Sequence, residues 1–367
     1  MNIMHICKKY PNALGGDAVV VSNLRKQQEA AGHRVAIVTS NCEEIVSGPH
    51  IYKLGLRDTP AKLDAITPRR LVSLVILAVS IFFIIWRERP DVIHTHSVDM
   101  ALAISPAARL FGVPIVHTFH IVTFYDRNQS VFRRKTELWL AKGAGLHRAT
   151  APNSYDAQKL QAAGIATTVL PNGVDLEFWQ SVTPVKANRT FTFAAVGRLE
   201  AQKGYEYLVR AAALLAARGE TFRVVIAGEG SQKARLHMLI STLHLEHIVT
   251  LTGRKTPEAT RTLLAKADAA VFPSLYETTP LTLLEAWAVG LPVIVTPVGI
   301  LRDAGQDFGA ALVVPPKDEQ SLMQAMLDCK TNATRRAAIA AQGLAEVAQY
   351  GWQRVARTAE TIYGATQ

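Results

Sequence analysis

Short apolar runs alternate with longer amphipathic ones from the second residue onward. "NIMHIC", residues 2–7, reads as a strand, "KKYPNALGGD" as a loop, "AVVVSNLRKQQEAAG" as a helix ending on Gly32, and "RVAIVT" as the next strand. A strand, a helix and a second strand in that order form a βαβ unit, and such units build a parallel sheet with helices on its faces. Further strands are expected in "PDVIHTHS", "VPIVHTFH", "AGLHRATAPN" and "TTVLPNGVD". A polar run with a proline and no hydrophobic period, "QSVTPVKANRT", then interrupts the pattern after Trp179.

The winding restarts at "FTFAAVG" and continues through "FRVVIAG", "IVTLTG", "AAVFPS" and "LPVIVT", with helices from Tyr205 to about Arg218 and from Gln232 to His244. The fold class is therefore α/β, with two Rossmann-like doubly wound domains facing across a cleft. Residues 1–179 form the first and 190–349 the second, and a final helix within 350–367 is placed to pack back onto the first. A chain of 367 residues is long enough for each domain to bury its own core.

Charge and composition narrow the partners. A net charge of +10 attracts polyanions, but aromatics are only 7% and no zinc-finger or RNA-recognition spacing occurs, so nucleic acid is not expected as a partner. Cys7, Cys42 and Cys329 lie far apart without a CxxC pair and read as buried thiols of a reducing compartment. The start, "MNIMHICKKYPNALGG", lacks the basic-then-apolar layout of a secretory signal, so a cytoplasmic location is expected.

One segment breaks the pattern. "LVSLVILAVSIFFIIW", residues 71–86, is apolar on every side and flanked by Arg69, Arg70, Arg87 and Arg89. At about 1.5 Å per residue it reaches roughly 24 Å, short of the ~30 Å hydrocarbon core of a bilayer. It is either a helix packed between the sheet and its neighbours, or an interfacial helix at the inner face of a membrane. In the second reading its basic ends meet anionic headgroups, together with "VFRRKTELWLAKGAGLHR".

Three strand-to-helix turns offer cradles for an anion. Gly15 and Gly16 stand at the start of the first long helix, where unpaired N–H groups and the positive dipole end point outward. This is not a GxGxxG, which counts against a nicotinamide enzyme. In "GRLEAQKG", residues 197–204, Arg198 and Lys203 can converge on a diphosphate whose charge grows as it departs. In "AGEGSQKARL", Gly228 and Gly230 open another helix.

Two carboxylates stand eight positions apart in "LYETTPLTLLEAWAVGLPVIVT". Thr278 or Thr279 can cap a helix with Pro280 in its first turn. On a helical wheel Leu281, Leu283, Leu284, Trp287 and Ala288 fill one arc, and Glu285 falls at its border. A carboxylate there loses hydration and needs donors, which two vicinal hydroxyls of a ribose would supply. Glu277 precedes the helix and could accept from sugar hydroxyls or offset positive charge on a ring.

"GGDAVVV", "GRLEAQKG" and "ETTPLTLLEAWAVGLPVIVT" together resemble the retaining glycosyltransferases of family 4, glycosyl transferases group 1, over nearly the whole chain. The last stretch matches the family's Glu-x7-Glu signature at Glu277 and Glu285, followed by its Gly-Leu-Pro strand opening. The resemblance implies the GT-B architecture, with an acceptor-binding first domain and a donor-binding second. It implies transfer of a hexose-type unit from a nucleoside diphosphate, UDP favoured over GDP, to a hydroxyl with retention and without a separate cofactor. It assigns Arg198 and Lys203 to the donor diphosphate, Glu285 to the ribose, Glu277 to the transferred sugar, and Gly15 and Gly16 to phosphate. His120 matches the family's histidine near the donor sugar and joins Arg198, Lys203 and Glu277 as catalytic. Gly230, Arg254, Thr279, Pro280, Leu281 and Thr282 complete the donor set, and His94, His96 and His117 lie on the acceptor side.

No Asp-x-Asp occurs, so no metal is expected to bridge the diphosphate, and the sequence shows no third ligand to join His94 and His96 in a zinc site. The chain departs from the family where many members carry Gly-Phe-Gly after the first glutamate. Here it reads "TTPL", and Pro280 removes one N–H donor, which leaves the sugar open. The basic balance and apolar segment favour a lipid-linked or cell-envelope glycan precursor as acceptor, with a soluble small molecule as the alternative. Rival readings are a nucleotide-sugar epimerase of the same architecture and a non-catalytic binding module.

Overall fold

The computed structural model describes residues 1–10, 16–41, 48–54, 79–120, 122, 131–143, 145–182, 190–277, 279–301 and 309–366. They form two compact units, one of Met1–Asn172 with Trp352–Gln367 and one of Gly173–Gly351.

The first unit is a wholly parallel sheet of seven strands, β1 (Asn2–Lys9), β2 (Arg34–Asn41), β3 (Ile51–Lys53), β4 (Val92–Thr95), β5 (Ile115–Thr118), β6 (Arg148–Ala151) and β7 (Thr167–Val169). Their order, β3-β2-β1-β4-β5-β6-β7, reverses direction between β1 and β4. In doubly wound sheets that reversal is where ligands bind, beyond the carboxyl ends of the strands. Every residue of β4 and β5 is buried, as expected of central strands covered on both faces.

The second unit repeats the plan with β8 (Thr192–Val196), β9 (Arg223–Ala227), β10 (Val249–Leu251), β11 (Ala269–Phe272), β12 (Val293–Val295) and β13 (Leu312–Val313). The order β10-β9-β8-β11-β12-β13 places the reversal between β8 and β11. Both units thus have the Rossmann-like α/β form read from the alternation. β3 and β13 were not anticipated, because strands of three and two residues at a sheet edge carry too little periodicity to be seen.

The chain leaves the first unit at Asn172, ahead of the polar run after Trp179. The reason is packing: Val174 and Trp179 already belong to the apolar cluster of the second unit with Trp287 and Tyr350. The helix Trp352–Gly364 lies with the first unit, where Trp352, Val355, Ala359 and Tyr363 pack with Ile3, Val20 and Leu24.

Part of the uniformly apolar segment, 71–78, lies outside the described residues, and the rest falls in helical residues 79–88. Its periodicity is resolved by burial: Ile81, Ile84 and Ile85 enter a core with Met4, Ile93 and Ile104, whereas Val79, Phe82, Phe83 and Trp86 are exposed. Phe82 touches Phe111, with ring centroids 5.0 Å apart. Among the described residues no helix is long and apolar enough to cross a membrane.

Candidate active site

The loop after β8 is fixed by backbone contacts that only glycine permits. Gly204 sits at φ 65° between the single 3-10 turn Ala201–Lys203 and the helix Tyr205–Ala217, and a Cβ there would stand 2.0 Å from the Pro273 carbonyl oxygen. The same approach brings the Leu275 N–H to the Gln202 carbonyl at 2.7 Å, so the loop after β8 is tied to the loop after β11. A Cβ on Gly228 would stand 1.9 Å from the Gly197 carbonyl oxygen, which packs the turn after β9 against the same loop. Three turns far apart in sequence therefore meet at the carboxyl edge of one sheet.

What they bring together is an ion pair. Lys203 Nζ donates to Glu277 Oε1 in a direct contact, with the two side chains only 13% and 9% exposed. Ser274 Oγ donates to the same oxygen at 3.0 Å. The buried phenol of Tyr205 lies alongside, its pKa raised by burial and further by the charge of Glu277. A carboxylate so held is oriented rather than free to turn, and the lysine brings positive charge into a largely desolvated place. Ser274 and Tyr205 were not foreseen; a serine and a tyrosine next to these motifs carry no periodic or spacing signal.

Glu285 behaves as its border position suggested. The helix Leu281–Ala288 buries Leu283, Leu284, Ala286, Trp287 and Ala288, while Leu281, Thr282 and Glu285 are half-buried. Burial pushes the Glu285 carboxyl up to about 8, and among the described residues none hydrogen-bonds it. One detail of the helix start differs from expectation: Pro280 is the N-cap in extended conformation, not a first-turn residue. Its fixed φ of −68° suits both places, so the sequence did not distinguish them. Thr279 and Pro280 are buried beside it, and Thr278 lies outside the described residues.

Other second-unit residues are more open. Arg198 is exposed, and its positive charge helps lower the pKa of Glu200, whose carboxylate accepts mainly from Ser231. Arg254 is exposed, and Gly230 is held against Leu199, whose carbonyl would stand 2.5 Å from a Cβ.

In the first unit the histidines assemble through strand register. β1 pairs with β4 so that His5 lies opposite His94, and alternation puts His96 on the same face. His5 Nδ1 meets His96 Nε2 at 3.1 Å, and His96 Nδ1 meets His120 Nε2 at 2.9 Å. His94 is held from both sides at 2.7 Å, by the Tyr363 hydroxyl at Nδ1 and Thr118 Oγ1 at Nε2. His117 faces the other way, its Nδ1 2.7 Å from Thr95 Oγ1 and its ring against Phe119. The bonds described for it do not join it to the other four.

His5 is thus the third imidazole that the sequence did not show beside His94 and His96: ligand nitrogens of the three lie within 4.8 Å of one another. Both nitrogens of His94 are already engaged, so a metal would have to break at least one of those bonds. Burial lowers the pKa of His5 to about 4 and holds His94 and His96 well below the usual imidazole range. Half-buried His120 is also lowered to about 4 by burial, against a smaller opposing pull from Asp17. Asp17 lies in the first turn of the helix Gly16–Ala30, which Gly16 opens, and Gly15 lies outside the described residues.

Two Rossmann-like parallel sheets of this kind make up the GT-B architecture. Residues 14–178 match the model of Glycosyltransferase Family 4, and residues 180–345 that of Glycosyl transferases group 1. The glycogen synthase of Mycobacterium tuberculosis is 32% identical over 301 residues, covering 75% of this chain and 69% of that protein. The D-inositol 3-phosphate glycosyltransferase of Pseudarthrobacter chlorophenolicus is 31% identical over 307 residues, covering 76% and 71%. Escherichia coli UDP-Gal:alpha-D-GlcNAc-diphosphoundecaprenol alpha-1,3-galactosyltransferase is 31% identical over 241 residues, covering 59% and 60%. Among solved structures, sucrose-phosphate synthase of Thermosynechococcus elongatus superposes with a TM-score of 0.83 at 22% identity, covering 99% and 98% of the two chains. HepE of Anabaena, solved in complex with UDP, does so with 0.78 at 16% identity over 99% and 100%. The chain belongs to glycosyltransferase family 4.

Proposed function

We propose that this glycosyltransferase moves a hexose-type sugar from a nucleoside diphosphate, UDP before GDP, to a hydroxyl acceptor with retention at the anomeric carbon. The observation that carries the reading is the pair Lys203–Glu277 at the carboxyl edge of the second sheet, with a carboxyl that lacks a described partner eight residues on at Glu285, in the helix that follows. A diphosphate leaving group gains charge in the transition state, and Lys203 with Arg198 would stabilise it. Glu285, raised to about 8, gains two donors from ribose hydroxyls. Glu277 would orient the transferred sugar, and His120 acts in the same reaction as a catalytic residue. HepE has been solved with UDP-glucose as well as UDP, which supports a nucleotide-sugar donor here.

The chain carries no Asp-x-Asp, and side-chain cations take the metal's usual role in this reading, so transfer should persist in a chelator. Incubation with UDP-sugars and a polyprenol-linked or free glycan acceptor should give a glycoside of unchanged anomeric configuration. Isomerised donor without acceptor would instead favour an epimerase.

A membrane-side acceptor is supported by the first unit. Phe83 and Trp86 are 59% and 58% exposed, and Leu110 and Trp139 are 72% and 67% exposed. Arg87, Arg89, Lys135 and Lys142 are exposed on the same helices or just beyond them. Exposed aromatics beside basic side chains are the pattern of an interfacial contact. The protein should sediment with anionic vesicles at low salt and less at high salt, and Phe83→Ser with Trp86→Ser should weaken it. Equal recovery with neutral vesicles, or none with anionic ones, would sink this part.

A further inference from the structure

Beyond the family assignment, the first unit contains a single hydrogen-bonded chain with two arms that meet at Gln28. One arm runs from Gln28 Oε1 to His5 Nε2 at 2.8 Å, from His5 Nδ1 to His96 Nε2 at 3.1 Å, and from His96 Nδ1 to His120 Nε2 at 2.9 Å. The other runs from Gln28 Nε2 to the Tyr363 hydroxyl at 3.3 Å, on to His94 Nδ1 at 2.7 Å, then through Thr118 Oγ1 to Thr150 Oγ1 at 2.6 Å. His5, His94, Gln28, Thr150 and Tyr363 are fully buried, and His96 is 6% exposed.

A neutral imidazole has one N–H and one bare nitrogen, so each link dictates the next. Burial keeps these rings neutral. The carbonyl end of the Gln28 amide can only accept, which makes His5 Nε2 an N–H and its Nδ1 bare. His96 must then donate through Nε2 and present a bare Nδ1, and His120 must donate through Nε2. The amide end of Gln28 can only donate, so Tyr363 passes its own proton to His94 Nδ1, and His94 Nε2–H donates to Thr118. Both arms are satisfied in the same sense. Turning the amide round would reverse every bond in both.

We propose that Gln28 is a positioning residue that fixes the tautomer of His120, with Nε2–H bound to His96 and the Nδ1 lone pair left free to accept from substrate. This rests on the reading of His120 as a catalytic residue. His5 and His96 act only as links. No described residue hydrogen-bonds to His120 Nδ1, which is the nitrogen the relay leaves bare. Gln28 itself lies in the helix Gly16–Ala30 and Tyr363 in the last helix, so two helices hold the tautomer of a loop residue beyond β5.

The test is nitrogen-15 NMR of the histidine side chains in the full chain. In the wild type His120 Nε2 is expected to carry the proton and Nδ1 to be bare. In Gln28→Leu, or in Gln28→Met should the first not fold, His120 is expected to show both tautomers. Its kcat should then fall by the fraction of rings in the wrong form, about twofold or more, with little change in donor KM. A wild-type His120 protonated at Nδ1, or a tautomer unaltered in the folded Gln28 variant, would overturn the relay. His120→Ala with wild-type kcat would instead remove the catalytic role of His120 and leave the tautomer result standing.

Discussion

Lys203→Ala lowers turnover by about two to three orders of magnitude while donor affinity changes much less. Removing one group that stabilises charge developing in a transition state costs roughly 10²–10³ in kcat, and the loss falls on kcat because the added charge is absent from bound donor. The position supports such a size. Lys203 is only 13% exposed, so its charge acts through protein rather than bulk water, and the chain turns at Gly204 to bring it to Glu277. Steady-state kinetics with the donor varied would separate the two parameters. A variant whose donor KM rises sharply at unchanged kcat would make Lys203 a ground-state ligand. Because the substitution leaves Glu277 with only the Ser274 hydroxyl among the partners described above, melting of Lys203→Ala alone and with Glu277→Gln must accompany the kinetics.

The second large effect is on stability in acid. His5 is fully buried and its pKa is lowered from 6.5 to about 4. Below pH 6.5 the unfolded chain takes up a proton that the folded chain refuses, so stability is lost as pH falls through the window from 6.5 to about 4. For His5 alone the loss reaches about 3 kcal/mol at the acid end. His94, His96 and His120 are shifted in the same direction and steepen the fall. Glu285 works against it: its raised pKa costs stability above the unfolded carboxyl range, and that cost is relieved as pH drops from about 8. Urea midpoints between pH 7 and 4.5 for wild type and His5→Leu cancel this opposing group, which is common to both. The wild type should show the steeper decline, and equal slopes would mean that the buried imidazole is not neutral as described.

Much of this was legible before coordinates, and the limits have physical causes. The alternation of apolar runs with helices revealed both parallel sheets, because strands covered on two faces are apolar throughout and glycines punctuate their ends. Glu285 was placed at the edge of its helix by a wheel, since a regular helix converts spacing into direction. Glu277 and Lys203 became partners only through Gly204 and its approach to Pro273, a contact between loops 69 residues apart that no local pattern announces. The histidine chain was half visible. "HTHS" and "VHTFH" showed four imidazoles, but His5 enters through the register of β1 against β4, and Gln28 and Tyr363 through two helices packing on one sheet face. The register of β4 against β5 sets His117 opposite Thr95 and so on the other face from His94, which an acceptor-side grouping by proximity in sequence could not show.

The central claim is transfer from a nucleotide sugar by the residues gathered around Lys203 and Glu277. Its most direct measurement is the proton NMR spectrum of the glycoside formed from a UDP-sugar, run in chelator with wild type and with Glu277→Gln. The account predicts product from the wild type with the donor's anomeric configuration, and loss of most of it in the variant. An inverted product, dependence on a divalent cation, or full activity of Glu277→Gln would contradict it.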